Sequence, residues 1–164
     1  MPARLAHGCR RLTALATRLL QLSLIAAVMV MLACIVAQVV MRYVVGQSLS
    51  WSEELAVLMF AWATLGGLAL GVREGFHVRL DVLLDLLPPA VRRRAERAIE
   101  ALTALLGAYL AWSGLRFLDF TAGSVSAAIG YPIEILNSLA PIAGVLICLF
   151  ALERLLAPVP DRSP

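Results

Sequence analysis

Long apolar stretches without a charged residue dominate the chain. The longest has 23 residues, two others have 18, and a fourth has 15 and is flanked by Glu100 and Arg116. A helix rises about 1.5 Å per residue, so about 20 residues cross the ~30 Å hydrocarbon core of a bilayer. None of the stretches alternates between polar and apolar positions as a barrel strand would, and backbone groups in lipid must bond within their own segment. The pattern predicts an all-α integral membrane protein with four transmembrane helices.

The predicted spans belong to a single membrane domain that includes the whole chain, and they cover about residues 19–41, 53–72, 96–118 and 133–154. Pro141 falls inside the fourth span, where it should kink or locally open the helix. A very apolar soluble bundle, or a signal peptide in place of the first span, is the weaker alternative, because no small-residue cleavage site precedes a polar region.

A short amphipathic helix is predicted at about residues 76–87, between the second and third spans. Its leucines share one face, while His77 and Asp81 lie on another, and Pro88 follows its end. Such a helix lies in the membrane interface, here on the cytoplasmic side. His77 and Asp81 are four residues apart and could ligate a metal, but two ligands without a third favour a solvated polar face.

The basic residues predict the orientation of the chain. All 14 are arginines; four precede the first span, six lie between the second and third spans, and two follow the fourth. The opposite side has only Arg42 and Arg116. Because cytoplasmic segments are enriched in basic residues, both termini should lie in the cytoplasm. The arginines suit anionic lipid headgroups, so the positive net charge of +3 needs no nucleic-acid partner.

The start of the second span raises a separate question. Ser50 and Glu53 have the spacing of a capping box, and acids in the first turn of a helix favour its dipole. Trp51 suits the aromatic belt at a membrane surface. Glu54 is a second acid, more than a cap needs, and the excess suggests a contact with a partner.

Small residues follow one face of the second span, at Ala63, Gly67 and Gly71. Small residues let a neighbouring helix approach closely. Packing within the chain's own bundle is the preferred interpretation, and a seam with a partner chain is the alternative.

The chemistry of an enzyme or of a self-sufficient transporter is missing from the sequence. No acid, arginine or histidine lies near the middle of a predicted span, whereas intramembrane charges usually mark ion and proton pathways. The three cysteines have no paired spacing, and no nucleophile and base form a recognisable motif. We therefore expect a helper subunit without catalytic activity and without a cofactor.

Residues 41–88 resemble the signature region of the small permease subunit of TRAP transporters, the DctQ type. The family pattern combines an arginine with an aromatic, W-x-E-E, a helix rich in Trp and Gly, and R-x-G-x-H followed by an Asp before Leu-Pro. These features fall on Arg42, Tyr43, Ser48, Trp51, Glu53, Glu54, Trp62, Gly67, Arg73, Gly75, His77, Asp81, Leu87 and Pro88. At Val57 the chain departs from the pattern, because the family often has a basic residue there.

The resemblance implies a three-part transport system for organic acids such as carboxylates, usually coupled to sodium. Its partners would be a large multi-span membrane subunit of the DctM type, which has the transport site, and a periplasmic substrate-binding protein of the DctP type. The small subunit would form a scaffold, with Arg42, Trp51, Glu53, Glu54, Gly67, Gly71, His77 and Asp81 as candidate interface or signature residues. Two alternatives stay open at this point: a membrane anchor or assembly subunit of another complex, and a small transporter that works alone.

Overall fold

The computed structural model describes residues 2–75 and 88–156. The predicted interfacial helix at 76–87, with His77 and Asp81, lies outside the described residues. Within them the chain is helical, and no strand forms; a single isolated bridge joins Val125 and Pro132.

Five α-helices make up the described fold. They are α1 (Pro2–Val40), α2 (Ser50–Glu74), α3 (Pro89–Thr121), α4 (Glu134–Asn137) and α5 (Leu139–Leu156), and a π-helical turn (Met41–Val45) extends α1. Four segments are long and apolar enough to cross a membrane: Leu15–Val45, Ser50–Glu74, Val91–Thr121 and Glu134–Leu156. The prediction of an all-α protein with four such helices is confirmed.

The long helices pack in the order α1, α2, α5 and α3, which differs from their order along the chain. The segment that includes α5 is the most enclosed of the four. Within its apolar 18-residue stretch 33% of the residues are buried, against 17% for each of the other segments. A core cluster in which all four helices take part includes Leu20, Ala69, Ala104, Ile147 and Phe150. Most of the apolar surface of the bundle therefore faces outward, as expected where lipid replaces water as the solvent.

Glycines set the closest helix contact, between α3 and α5. A Cβ atom added at Gly144 would lie 2.5 Å from the backbone nitrogen of Ala111 and 2.8 Å from the carbonyl oxygen of Gly107. A Cβ atom at Gly114 would lie 2.7 Å from the ring of Pro141. The two backbones can approach this closely only because these positions have no side chain.

Ion pairs connect three helices at the end of the bundle where α2 and α5 finish, which we call the arginine end. Arg73 of α2 contacts Glu153 of α5 at 2.8 Å, and Arg154 contacts Glu100 of α3 at 2.6 Å. The Arg73 guanidinium also lies 5.3 Å from the ring centre of the buried Phe150. These half-buried pairs fix the relative positions of α2, α3 and α5.

The fourth predicted span is interrupted near its start. Helix α4 ends at Asn137, and α5 begins at Leu139, just before Pro141. Proline has no N–H to donate to the carbonyl four residues earlier, here that of Asn137, so the ladder cannot run through this point. The side-chain amide of Asn137 donates a hydrogen bond to the Thr121 hydroxyl at 2.8 Å, which ties α4 to the end of α3.

Candidate functional site at the loop end of the bundle

The other end of the bundle, which we call the loop end, holds residues 46–49 and the loop 122–133. Helix α2 begins here after its N-cap residue Leu49, which has an extended backbone. No side chain of the described residues caps the first turn with a hydrogen bond. The predicted Ser50–Glu53 capping box is therefore wrong. The fully buried Ser52 instead donates a hydrogen bond from its hydroxyl to the Leu49 carbonyl at 2.8 Å, which anchors the first turn to the residue that precedes the helix. Glu53 does lie in the first turn, as predicted.

Glu54 holds the loop against the start of α2. Its carboxylate accepts hydrogen bonds from the Ser126 hydroxyl at 2.5 Å, from the Ala128 amide at 2.8 Å and from the Ile129 amide at 3.0 Å. Charge-assisted bonds of this kind are shorter and stronger than neutral ones. The second acid, in excess of what a cap requires, therefore has an intramolecular role in the described structure.

The loop also folds on itself. The Ser126 amide donates to the Tyr131 carbonyl and the Ile133 amide to the Ser124 carbonyl, both at 2.9 Å. The Ser126 hydroxyl oxygen accepts from the Gly130 amide at 3.1 Å. At the base of the loop, one oxygen of Glu134 accepts from the Gly123 amide at 2.6 Å, while its other oxygen is buried without a partner among the described residues. Two carboxylates thus fix this loop at its tip and at its base.

Glu53 does not take part in the hydrogen bonds that hold the loop. Its side chain is exposed and makes no hydrogen bond or ion pair with any residue that the structure describes. It lies on the rim of an open cleft of about 480 Å³ between the first turns of α2 and the loop. Val57, Ala128, Ile133 and Leu136 are among the apolar residues that line the cleft. The cleft thus combines apolar walls with an unneutralised carboxylate.

An open stripe continues from this cleft along α2. Val57, Phe60 and Thr64 are exposed and follow Glu53 at the spacing of one helix face. Gly67 continues the row, and no atom of the described residues lies within 4 Å of where its Cβ would stand. The buried face of α2 is opposite, where Gly66 packs against Leu20 and Leu24 of α1. The preferred interpretation of the Gly67 face as packing within the bundle does not hold for Gly67 itself.

The remaining predicted site residues are spread over the loop end and α2. Arg42 lies in the exposed π-helical turn and pairs with no described residue, and Trp51 is 47% exposed in the first turn of α2. Gly71 is half-buried, and its carbonyl accepts from the Gly75 amide at the end of α2. The structure brings Glu53 and Glu54 to one cleft, but it places Gly67 and Gly71 further along the helix. In residues 2–75 and 88–156 no three His, Cys, Asp or Glu side chains form a group suited to a metal.

Sequence reasoning missed several residues that shape the site. Ser126 is 72 positions from Glu54 along the chain, and no local sequence pattern predicts that its hydroxyl binds that carboxylate. The Gly66-Gly67 pair indicates that a neighbouring helix approaches α2 closely at this point. The four-residue spacing from Ala63 to Gly71 favours Gly67, whereas the residue that packs against α1 is Gly66. The indole N–H of Trp62 donates to the Ser23 hydroxyl at 3.1 Å, a polar link between α1 and α2 that a tryptophan within an apolar run suggests only in general terms.

Comparison with known proteins places this arrangement in a family context. The chain is 40% identical over 57 residues to the C4-dicarboxylate TRAP transporter small permease protein DctQ of Vibrio cholerae, a match that covers 35% of this chain and 25% of that protein. It is 29% identical over 109 residues to the ectoine TRAP transporter small permease protein TeaB of Halomonas elongata, covering 65% of this chain and 56% of that protein.

A third relative is much longer than this chain. The sialic acid TRAP transporter permease protein SiaT of Haemophilus influenzae is 27% identical over 112 residues, which are 68% of this chain but 18% of that permease. The chain thus spans less than two thirds of the length of each of these three relatives.

The family profile extends the match beyond these pairwise alignments. The profile described as the DctQ component of tripartite ATP-independent periplasmic transporters matches residues 31–160, which include α2, α3 and the loop held by Glu54. Because this region is well over half of the chain, and because the structure has the four apolar helices that the resemblance implied, the protein belongs to the DctQ component family of these transporters.

Proposed function

We propose that the protein is the small scaffold subunit of a tripartite, ion-coupled secondary transporter, and that it stabilises a large transport subunit without having the transport site itself. The observation that carries this proposal is the position of the charges. In the described residues, the charged side chains of the membrane-crossing helices lie near the helix ends, as with Glu54, Arg73 and Glu153, and the long apolar middles have none. A transport pathway for an ion and a polar substrate usually needs such groups at depth.

The relatives support a partner in the same membrane. In SiaT of Haemophilus influenzae, the part similar to this chain is a minor portion of a far longer permease protein. A small four-helix unit next to a large membrane unit is therefore the arrangement we propose here, with a large DctM-type subunit as a separate or joined partner. A periplasmic binding protein of the DctP type completes the proposed system.

Organic acids such as carboxylates are the proposed substrates, with sodium as the coupling ion. The names of two relatives, for a C4-dicarboxylate and a sialic acid transporter, support the acid class, and the ectoine relative shows that substrates differ within the family. Substrate choice is assigned to the partners, because the described spans of this chain offer no charged site at depth to recognise a carboxylate.

The proposed location is the bacterial inner membrane, with both termini in the cytoplasm. The arginine end then faces the cytoplasm and the loop end faces the periplasm. In this orientation Glu53 and Arg42 are exposed at the periplasmic surface, Glu54 holds the loop beside them, and Gly67 and Gly71 lie within the bilayer. These residues are the proposed contacts with the other subunits.

A pull-down of the tagged protein from its native membranes in mild detergent tests this function. Mass spectrometry should identify a hydrophobic partner of ten or more predicted spans in comparable amount. Recovery of a cytoplasmic enzyme without a multi-span partner would contradict the proposal and favour the alternative, an anchor subunit of another complex.

A further inference from the structure

We propose that the open stripe of α2 and the acidic cleft at its top together form one docking surface, which receives a transmembrane helix of the large subunit with a basic side chain at its loop-end terminus. The inference rests on the proposed function and deepens it, because it assigns the face, the direction and the charge of the contact.

The stripe from Val57 to Gly67 rises about 15 Å, which is about half of the ~30 Å hydrocarbon core of a bilayer. Its exposed members Val57, Phe60 and Thr64 follow one another at helical spacing, and the missing side chain at Gly67 leaves a depression. The Thr64 hydroxyl is exposed in an apolar stretch and makes no hydrogen bond to the described residues. A hydroxyl and a small residue on one face are what a second helix uses for close approach and polar contact in lipid.

The cleft gives the surface a charge at one end. Glu53 on its rim has no partner among the described residues, and none of the basic residues in 2–75 and 88–156 lines the cleft. Val57 belongs both to the cleft and to the stripe, so the two features are continuous. A carboxylate above apolar walls matches a lysine or arginine side chain, which offers an apolar stem and a charged head.

The other exposed faces differ in character. Helix α5 presents the branched aliphatic residues Ile142, Val145 and Leu149, and α3 presents Tyr109 and Trp112 with the Arg116 guanidinium 5.7 Å from the Trp112 ring centre. Aliphatic stripes and aromatic girdles with a snorkelling arginine are typical of lipid contact. Among the described residues, the glycines of α3 and α5 (Gly107, Gly114 and Gly144) face the contact between these two helices, so neither exposed face has a depression like that at Gly67. Asp119 is an exposed acid on α3, but it does not line the cleft. We therefore assign α2 to a protein partner.

Site-specific photocrosslinking in the assembled membrane complex tests the face. The photoreactive residue p-benzoylphenylalanine replaces Phe60 in one variant and, as matched controls, Val145 or Tyr109 in two others. The three side chains are similarly exposed, at 59%, 49% and 63%, so accessibility alone does not distinguish them. The large subunit should be captured from position 60 and not from positions 145 or 109.

Charge reversal tests the cleft. Glu53→Arg should lower copurification of the large subunit about tenfold at moderate salt, and Glu53→Gln about threefold, because a partly exposed charge pair is lost or made repulsive. Glu74→Arg is the matched control, since Glu74 is an exposed acid at the opposite end of the same helix. It should leave recovery within about twofold of the unaltered protein. The tryptophan fluorescence melting curve of each variant verifies that it is folded.

The outcomes separate this inference from the proposed function. If the unaltered protein recovers no multi-span partner, the proposed function fails. If it does recover one, but capture occurs from position 145 or 109, or position 60 captures only lipid, a second copy of this chain or the binding protein, the assigned face is wrong. Equal recovery with Glu53→Arg and Glu74→Arg would overturn the assigned charge.

Discussion

At the scale of single residues, two adjacent acids have different environments. Glu54 accepts three hydrogen bonds from the loop 122–133, whereas Glu53 has none from the described residues. Neighbouring positions on a helix point about 100° apart, so one can face the loop while the next faces outward. A double replacement would mix a loop defect with the loss of a contact, and single replacements separate them.

Glu54→Gln should loosen the loop. A glutamine keeps one acceptor oxygen but replaces the other by an NH₂ group, which cannot accept from Ser126 or Ile129. Amide hydrogen exchange at residues 126–130, followed by mass spectrometry in detergent, should be about fivefold faster or more.

Glu53→Gln is the matched control for that measurement. It removes the same charge from the adjacent position and should leave exchange in the loop unchanged, because its side chain does not contact the loop amides. Equal exchange rates in the two variants would show that the Glu54 bonds do not hold the loop.

The residue scale also shows what the sequence could not reveal. An excess acid at the start of α2 is visible in the pattern, and its position there is confirmed. Its partners lie more than 70 positions away, in a loop of small residues that has no periodicity of its own. Helix periodicity predicts which face of the helix a side chain lies on. It does not predict which residues of a distant loop will contact that face.

At the scale of helices, four apolar spans could be predicted because lipid requires every backbone bond to be made within the segment. Which helices touch could not be predicted so simply. The closest contact joins α3 and α5 through Gly107, Gly114 and Gly144, and these glycines were not singled out by spacing. A glycine in an apolar helix marks a possible close approach, but only the packing order decides whether a helix lies there.

Gly144→Ala should therefore destabilise the bundle. The added Cβ would lie 2.5 Å from a backbone nitrogen of α3, and a backbone atom cannot move aside as the end of a side chain can. The two helices must separate, at a cost of about 1–3 kcal/mol. The midpoint of thermal unfolding in detergent, measured by tryptophan fluorescence, should fall.

Gly67→Ala makes the same chemical change on the open stripe of α2. No atom of the part of the chain that the structure describes lies within 4 Å of the added Cβ, so the midpoint should stay level or rise slightly through better helix propensity. If both alanine variants melted together with the unaltered protein, the α3–α5 contact would not be as close as described.

At the scale of the whole molecule, the two ends are held together by different means. The arginine end uses pairs between side chains, Arg73 with Glu153 and Arg154 with Glu100, whereas the loop end uses carboxylates that bind loop amides. The packing at the arginine end is tight around Gly75, which follows the last turn of α2 with φ +76°. A Cβ atom there would lie 2.5 Å from the Arg154 guanidinium. Ion pairs between side chains are available at an end that has many arginines. Hydrogen bonds from loop amides to carboxylates need no arginine, and they are found at the end that has few.

This asymmetry gives the orientation a direct test. Basic residues hinder translocation of short segments, so the arginine end should stay in the cytoplasm and residues 46–49 should be outside. In a variant with Cys9, Cys34 and Cys148 replaced by alanine, a cysteine introduced as Ser48→Cys should react with a membrane-impermeant maleimide on intact cells. The native Cys9, kept alone in a matched variant, should react only after the membrane is permeabilised. Labelling of Cys9 on intact cells, with Ser48→Cys protected, would invert the orientation. It would place the Glu53 cleft in the cytoplasm, out of reach of any periplasmic partner. The open stripe of α2, the other part of the docking surface, would still lie within the membrane.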